Sequence, residues 1–318
     1  MDVFDLFAKI TLDSSEYEKS LKNAKSSASG LTGLFGKVGS AASTVGKGIF
    51  TVATNVAKVS VAATTAGAAA VSTLTGLAIN SYADYEQLVG GVETLYKTSA
   101  DKVRQYAADA YKTAGLSANE YMNTATTFAA ALVSSLGGDT EQAAELANTA
   151  ISDMSDNANK MGTNISSIQD AYNGFAKQNY TMLDNLKLGY GGTKTEMERL
   201  IDDANKLNAA QGKATNYTID SYADVVSAIH DVQNAMGITG TTAKEASTTI
   251  QGSINATKSA WSNLVTGIAD DNANFEQLIS NFVDSATTAA SNIIPRIEVA
   301  LNGAAKLIES LVPPIMAE

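Results

Sequence analysis

An apolar repeat near the start of the chain constrains the fold more than any other feature. Apolar residues between positions 31 and 63 follow one another at alternating steps of four and three. A period of 3.5 residues keeps one seam of a helix facing a partner along its whole length. The sequence therefore predicts a long coiled-coil-like helix with a self-association seam formed by Leu31, Phe35, Val38, Ala42, Val45, Ile49, Val52, Val56, Val59 and Ala63.

Composition favours an all-α fold. The 318 residues include only 3 prolines, all beyond position 294, and proline is the strongest helix breaker. Residues 3–12 alternate between apolar and polar side chains, which predicts one short N-terminal strand. We expect four parts: a strand–helix element at 1–30, the long apolar helix at 31–81, a compact helical bundle at 82–238 and a C-terminal segment of long helices at 239–318.

The segment 59–83 carries no charge and is long enough to cross a bilayer. Alanine, serine, threonine and glycine make up most of it, and these residues favour close helix packing or conditional insertion over a constitutive transmembrane helix. Membrane entry therefore stays open for this segment. Its candidate membrane-contacting residues are Val59, Val61, Val71, Leu74, Leu77 and Ile79.

Beyond position 82, helix start and stop signals predict five to seven helices up to about residue 238. Three capping boxes are predicted at Ser117–Glu120, Thr193–Glu196 and Thr242–Glu245. A Thr/Gly-rich hinge at 237–242 leads to the last helices, whose stripes cover 275–286 and 294–311 and end at Pro313-Pro314. Two further stripes of helical period predict buried faces: Ala143, Ala147, Ala150, Met154, Ala158 and Met161, and Tyr222, Val225, Ile229, Val232 and Met236.

The residues that carry chemistry are few. The chain has no cysteine and one histidine, His230, so a zinc site of the usual ligands is not expected. We interpret His230 as a partly exposed structural residue. Asp153 and Asp156 lie on one helix face, and we interpret them as a solvated acidic surface. The prediction is a protein that is not an enzyme and that uses no cofactor or metal.

A glycine-rich segment, 189–195, superficially suggests a phosphate-binding loop because Lys194 and Thr195 follow the glycines. The Walker spacing is absent, and no strand of β-branched residues precedes the loop. We therefore predict a helix–loop–helix turn capped by Thr193. The net charge of -11 also argues against nucleic acid as a tight partner, since phosphate neutralisation drives that binding.

Three stretches resemble the N-terminal part of tape measure proteins from long-tailed bacteriophages and prophages of Gram-positive bacteria. They are 7–21 (FAKITLDSSEYEKSL), 171–200 (AYNGFAKQNYTMLDNLKLGYGGTKTEMERL) and 242–264 (TAKEASTTIQGSINATKSAWSNL). The second stretch is the most specific. None of them is a catalytic motif, so the likeness concerns architecture.

The resemblance implies a structural virion protein, present as a parallel oligomer of itself in the lumen of the tail. Such a protein sets tail length and acts with the tail tube protein, tail assembly chaperones and distal tail proteins. It would occur in the host cytoplasm during assembly and then in the virion tail, and some members are thought to enter the host membrane on genome ejection. The alternative from the residues alone is a membrane-active, pore-forming helical protein unrelated to tails.

Overall fold

The computed structural model describes the backbone of residues 65–315 and the side chains of residues 74–297 and of Val299. The chain divides into two compact units, Met1–Gly76 and Leu77–Glu318. The packing described below belongs to the second unit. The predicted strand at 3–12 and the predicted self-association seam at 31–63 lie outside the described residues.

The described part of the chain, 65–315, is helical and contains no strand, which confirms the all-α prediction for these residues. Short 3-10 turns at Lys97–Ser99 and Leu183–Leu186 accompany the α-helices. The α-helices are α1 (Thr65–Tyr96), α2 (Ala100–Thr113), α3 (Ala118–Ser135), α4 (Thr140–Met161), α5 (Ile165–Phe175), α6 (Lys194–Ala210), α7 (Tyr222–Ala235), α8 (Thr241–Thr248), α9 (Ile250–Gly267) and α10 (Phe275–Ile315).

One apolar core extends from Val92 to Ile238 and receives side chains from α1 to α7. The predicted alanine-rich face of α4 lies in it: Ala147 and Met154 are each 1% exposed. Alanine at the contact points lets neighbouring helices approach closely, and larger rings fill the space between them. The largest fully buried side chains of this core include Tyr96, Tyr121, Tyr172 and Phe175.

The predicted face of α7 is buried at Tyr222, Val225, Ile229 and Val232. Met236, predicted to extend that face, is instead 46% exposed. It occupies the C-cap of α7, where the chain leaves the helix and the periodic face ends.

Local signals placed most helix ends correctly. Ser117 and Glu120 form the predicted capping box of α3, with both reciprocal hydrogen bonds present. Thr193 caps α6 by accepting from the Glu196 N–H, but the Glu196 carboxylate accepts from the Gly191 N–H and not from the capping residue. The predicted glycine stops all have positive φ: Gly137, Gly138, Gly162, Gly212 and Gly237.

The C-terminal prediction needs correction. The two helices expected at 275–286 and 294–311 are one helix, α10, which continues through Pro295 and through Pro313 and Pro314 to Ile315. A proline removes one backbone donor and favours a kink, but it does not prevent neighbouring residues from keeping helical dihedrals. Periodicity alone does not distinguish one such helix from two.

Helices α9 and α10 pack against each other as an antiparallel hairpin. The Trp261 ring lies 5.3 Å from the Phe282 ring. Gly267 faces Leu278 near the turn, and the Asn292 amide donates to the Thr249 carbonyl at the far end. From one end of the hairpin to the other, the contacting residues have increasing numbers in α9 and decreasing numbers in α10, so the two helices run antiparallel.

Candidate functional site

A group of buried polar side chains lies where α4, α5 and α7 meet. Asp153 and Asn157 belong to α4, Tyr172 to α5 and Gln233 to α7, and each is at most 1% exposed. His230, one turn before Gln233, is 34% exposed and reaches Asp153 from the edge of the group. Burying polar groups in an apolar core is costly unless they are paired. This cluster is therefore the candidate functional site among the described residues.

The interpretation of Asp153 and Asp156 as a solvated acidic surface is wrong. The two residues are 1% and 2% exposed, because the face of α4 that carries them packs against α7 and the segment that follows it. A histidine also accompanies them, since His230 contacts Asp153.

The Asp153–His230 pair joins α4 to α7 across 77 positions of the chain. His230 Nδ1 lies 2.9 Å and 3.1 Å from the two carboxylate oxygens of Asp153. The hydrogen bond to Asp153 raises the pKa of His230 above its ordinary value, against the opposing effect of burial. Burial raises the pKa of Asp153, and the contact with His230 opposes that rise.

Asp156 ties α4 to the start of α8. Its Oδ2 accepts from the Gly240 N–H at 2.6 Å and its Oδ1 accepts from the Thr242 N–H at 2.7 Å. Gly240 is the N-cap of α8 and has no side chain that could cap the helix, so a carboxylate from a distant helix satisfies the free donors. The predicted capping box of Thr242 and Glu245 is therefore wrong.

Several polar atoms of the buried group make no hydrogen bond of ordinary length and angle among the described residues. They are the Tyr172 hydroxyl, both amide atoms of Gln233 and the Asn157 Oδ1. Tyr172 lies beside Gln233 and Asp153, and burial raises its pKa well above the ordinary value, so the hydroxyl stays protonated. The other amide atom of Asn157 donates to the Leu186 carbonyl at 2.9 Å.

This arrangement pairs the imidazole of His230 with the buried carboxylate of Asp153. In the described residues the hydrogen bonds of the His230 ring all involve Nδ1 and Asp153, so the ring is not shown activating a hydroxyl. Among the side chains that the structure describes, no group of three His, Cys, Asp or Glu residues is placed to hold a metal ion. The geometry is that of a polar connection between helices.

The glycine-rich loop is a structural turn. Thr193 caps the helix that follows it, as predicted. A Cβ on Gly192 would collide with the Thr181 carbonyl oxygen, so the loop packs directly against the backbone. The Gly191 N–H donates to Glu196, which occupies a donor that a phosphate would need. Lys194 points to Glu198, 3.8 Å away.

The predicted membrane residues are only partly described. Val59 and Val61 lie outside the described residues, and the side chain of Val71 is not described. Leu77 and Ile79 are 56% and 57% exposed, and Leu74 is half-buried. No helix in the part of the chain that the structure describes is both long and apolar enough to span a bilayer.

A shallow groove of about 530 Å³ lies between α1 and α3. Half of its eight lining residues are polar and uncharged. Its two acids have different surroundings, because Glu120 is bound in the capping box of α3. The lining residues are Asp84, Gln87, Leu88, Gly91, Asn119, Glu120, Asn123 and Thr126.

Sequence reasoning missed Asn157, Tyr172 and Gln233. A signal was present: Asp153 and Asn157 lie three and seven residues after Ala150, which places polar side chains beside the alanine-rich face of α4. Gln233 likewise lies one turn beyond the buried Ile229. The pairing itself could not be read from spacing, because the partners are far apart in the chain.

Comparison with known proteins gave no match: no family model, no curated protein and no solved structure is significantly similar to this chain.

Proposed function

We propose that this chain is a structural protein of a phage tail, of the tape measure type, which acts in tail assembly and length determination. The observation that carries the proposal is the likeness of residues 171–200 to that family. The described helical scaffold, in which buried polar groups serve to connect helices, is compatible with such a role.

The geometry of residues 171–200 gives a physical reason for a recurring residue pattern there. A Cβ on Gly174 would lie 2.9 Å from the Asn179 carbonyl oxygen, so glycine is required for that turn. The Leu186 carbonyl is held by Asn157 at 2.9 Å, and Lys187 donates to the Met161 carbonyl at 3.0 Å. These backbone contacts restrict which side chains the stretch can accept at these positions.

The proposal includes the finer architecture predicted from the sequence. The predicted N-terminal strand at 3–12 and the predicted seam at 31–63 would join parallel copies of the chain in the tail lumen. The partners are the tail tube protein, the tail assembly chaperones and the distal tail proteins, and the protein passes from the host cytoplasm into the virion tail. Entry of residues 59–83 into the host membrane would accompany genome ejection.

A test of the seam uses the full chain in the phage or prophage that encodes it. The double substitution Val45→Asp and Val52→Asp places charges on the seam, where burying an unpaired charge costs several kcal/mol (~3 or more). We expect no normal tails in electron micrographs. The matched control is Lys47→Asp with Thr54→Asp, which changes positions on the opposite face of the predicted helix. Normal tails in the seam variant would contradict the proposal.

A second test asks whether the chain sets length. Duplicating residues 31–58 adds four heptads and preserves the repeat, and each copy should lengthen the tail by about 42 Å at ~1.5 Å per helical residue. Tail lengths averaged over many particles measure this. If the duplication and the seam variant both leave tails unchanged while the purified protein releases dye from liposomes at neutral pH, the pore-forming alternative replaces the proposal.

A further inference from the structure

The segment after the main core has a separate apolar cluster. The core that extends from Val92 ends at Ile238. Buried apolar residues of α9 and α10, such as Leu264 and Phe282, are not part of it. The Trp261–Phe282 contact holds these two helices to each other and does not hold them to the bundle formed by α1 to α7.

Helix α8 is joined to that hairpin. A Cβ on Gly252 of α9 would collide with the backbone of Glu245 in α8, so the two helices are in direct backbone contact. Asn292 of α10 donates to the carbonyls of Ser247 and Thr249 at 3.3 Å and 3.1 Å. Residues 241–292 therefore form one packed body, which we call the arm.

Hydrogen bonds from a polar stripe on α9 hold the arm on the bundle. The stripe consists of Ser259, Asn263 and Thr266, whose spacing of four and three residues places them on one helix face. Ser259 Oγ donates to the Gly115 carbonyl at 2.8 Å, and Asn263 Oδ1 accepts from the Ala118 N–H at 2.7 Å. The Thr266 hydroxyl lies 2.6 Å from the Ser81 hydroxyl.

Asp156 supplies the second attachment, at the base of the arm. It accepts from the N–H groups of Gly240 and Thr242, immediately after Ile238, which is anchored in the main core and 1% exposed. Gly237 and Gly240 both have positive φ, a conformation that glycine adopts without strain. Asn159 of α4 also donates to the Glu245 carboxylate of α8 at 2.9 Å, in an exposed position. The connection is thus anchored on one side by Ile238 and fastened on the other mainly by the buried Asp156.

We propose that residues 241–292 are a releasable arm, which swings away from the bundle about residues 239–240 and carries the rest of α10 with it, while α8, α9 and the paired part of α10 stay packed together. Water can satisfy the hydroxyl, amide and carboxylate groups that the release exposes, whereas the apolar clusters of bundle and arm remain intact. Asp156 is the latch, and the stripe of Ser259, Asn263 and Thr266 is the docking face.

Amide hydrogen exchange of the full chain, followed by NMR, tests this directly. Substituting Asp156→Asn places an amide N–H against a backbone donor and weakens the latch. A hydrogen bond to a carboxylate is worth about a tenfold change in an equilibrium or more, so we expect the Ala118 amide of α3, which donates to Asn263 of the docking face, to exchange about tenfold faster. Ala129, farther along the same helix, should keep its rate.

The reciprocal variant uses the other attachment. Asn263→Ala removes the partner of Ala118, and the Thr242 amide at the latch should then exchange faster even though its own partner is intact. Asp202→Asn, an exposed carboxylate on α6, is the matched control and should change neither amide.

Two results would overturn the proposal. If each variant accelerates only the amide whose partner it removes, the contacts are independent and the arm does not move as a body. If Ala129 accelerates as much as Ala118, the amides exchange through opening of the whole bundle. Coupled acceleration of Ala118 and Thr242 in both variants, with Ala129 unchanged, supports release of the arm.

Discussion

Removing the His230 ring should destabilise the bundle by leaving a buried carboxylate without its partner. In His230→Ala, the Asp153 carboxylate stays buried without its partner. Asp153 is 1% accessible, so bulk water cannot replace the imidazole around it. Breaking a fully buried ion pair costs about 3–5 kcal/mol. The His230 side chain is 34% exposed, so water can partly replace it, and we expect a loss of about 2 kcal/mol in the free energy of unfolding at pH 6.

The pH dependence of this loss follows from the direction of the two pKa shifts. The folded-state pKa of His230 is raised above its ordinary value of 6.5, so the stabilisation from its protonated ring is fully present below pH 6.5 and disappears as the pH rises through the folded pKa. The pKa of Asp153 is also raised, by burial. Its contribution is present below about pH 3.8 and is lost as the pH rises through its folded pKa. Wild-type stability should therefore fall with rising pH from about 6.5, in the range where His230 titrates.

Urea unfolding between pH 5.5 and 9, together with NMR titration of the imidazole protons, measures both effects. His230 is the chain's only histidine, so the ring titration needs no assignment. His230→Asn keeps a donor near the position of Nδ1 but no charge, and it should lose about half as much stability as His230→Ala. A His230→Ala protein as stable as wild type at pH 6, or wild-type stability that rises between pH 6.5 and 9, would refute the reasoning.

Three other substitutions test the packing. Gly192→Ala should destabilise the bundle by about 1–3 kcal/mol in thermal unfolding, because the new Cβ meets the Thr181 carbonyl. Gly191→Ala is the control and should be tolerated, because its Cβ makes an ordinary contact with a side chain at 3.5 Å. Equal losses of stability in the two variants would argue against the loop geometry. Ser117→Ala should cost about 1 kcal/mol through the lost cap of α3, and a Ser117→Asp protein of wild-type stability would show that the cap is responsible. Phe282→Ala should cost about 3–5 kcal/mol of stability. It should speed amide exchange in α8, α9 and α10 more than in α3 and α4. An equal loss of amide protection in all five helices would indicate one shared core.

The parts of the fold that depend on near neighbours in sequence were predictable. The capping box of Ser117 and Glu120 joins residues three apart, and the buried face containing Ala147 and Met154 follows from helical period. Both depend on interactions within one helix, which residue spacing encodes directly.

The candidate site depends on long-range contacts and was not predictable in the same way. Asp153 and His230 are 77 positions apart, and Asp156 caps a helix whose N–H groups lie 84 and 86 positions away. Acidic residues on a helix are usually solvated, so the pattern alone predicts exposed side chains for Asp153 and Asp156, which are in fact buried. Only the packing of α7 and α8 onto α4 turns these carboxylates into buried acceptors.

The polar character of the α9 docking face has a consequence for how the protein responds to heat and denaturant. The heat capacity change and the urea sensitivity of a transition both grow with the apolar surface that it exposes. Separation at the contacts of Ser259, Asn263 and Thr266 exposes hydroxyl and amide groups. The free energy of arm release should therefore vary almost linearly with temperature and weakly with urea concentration. The free energy of unfolding the bundle formed by α1 to α7 should show strong curvature with temperature and a steep dependence on urea.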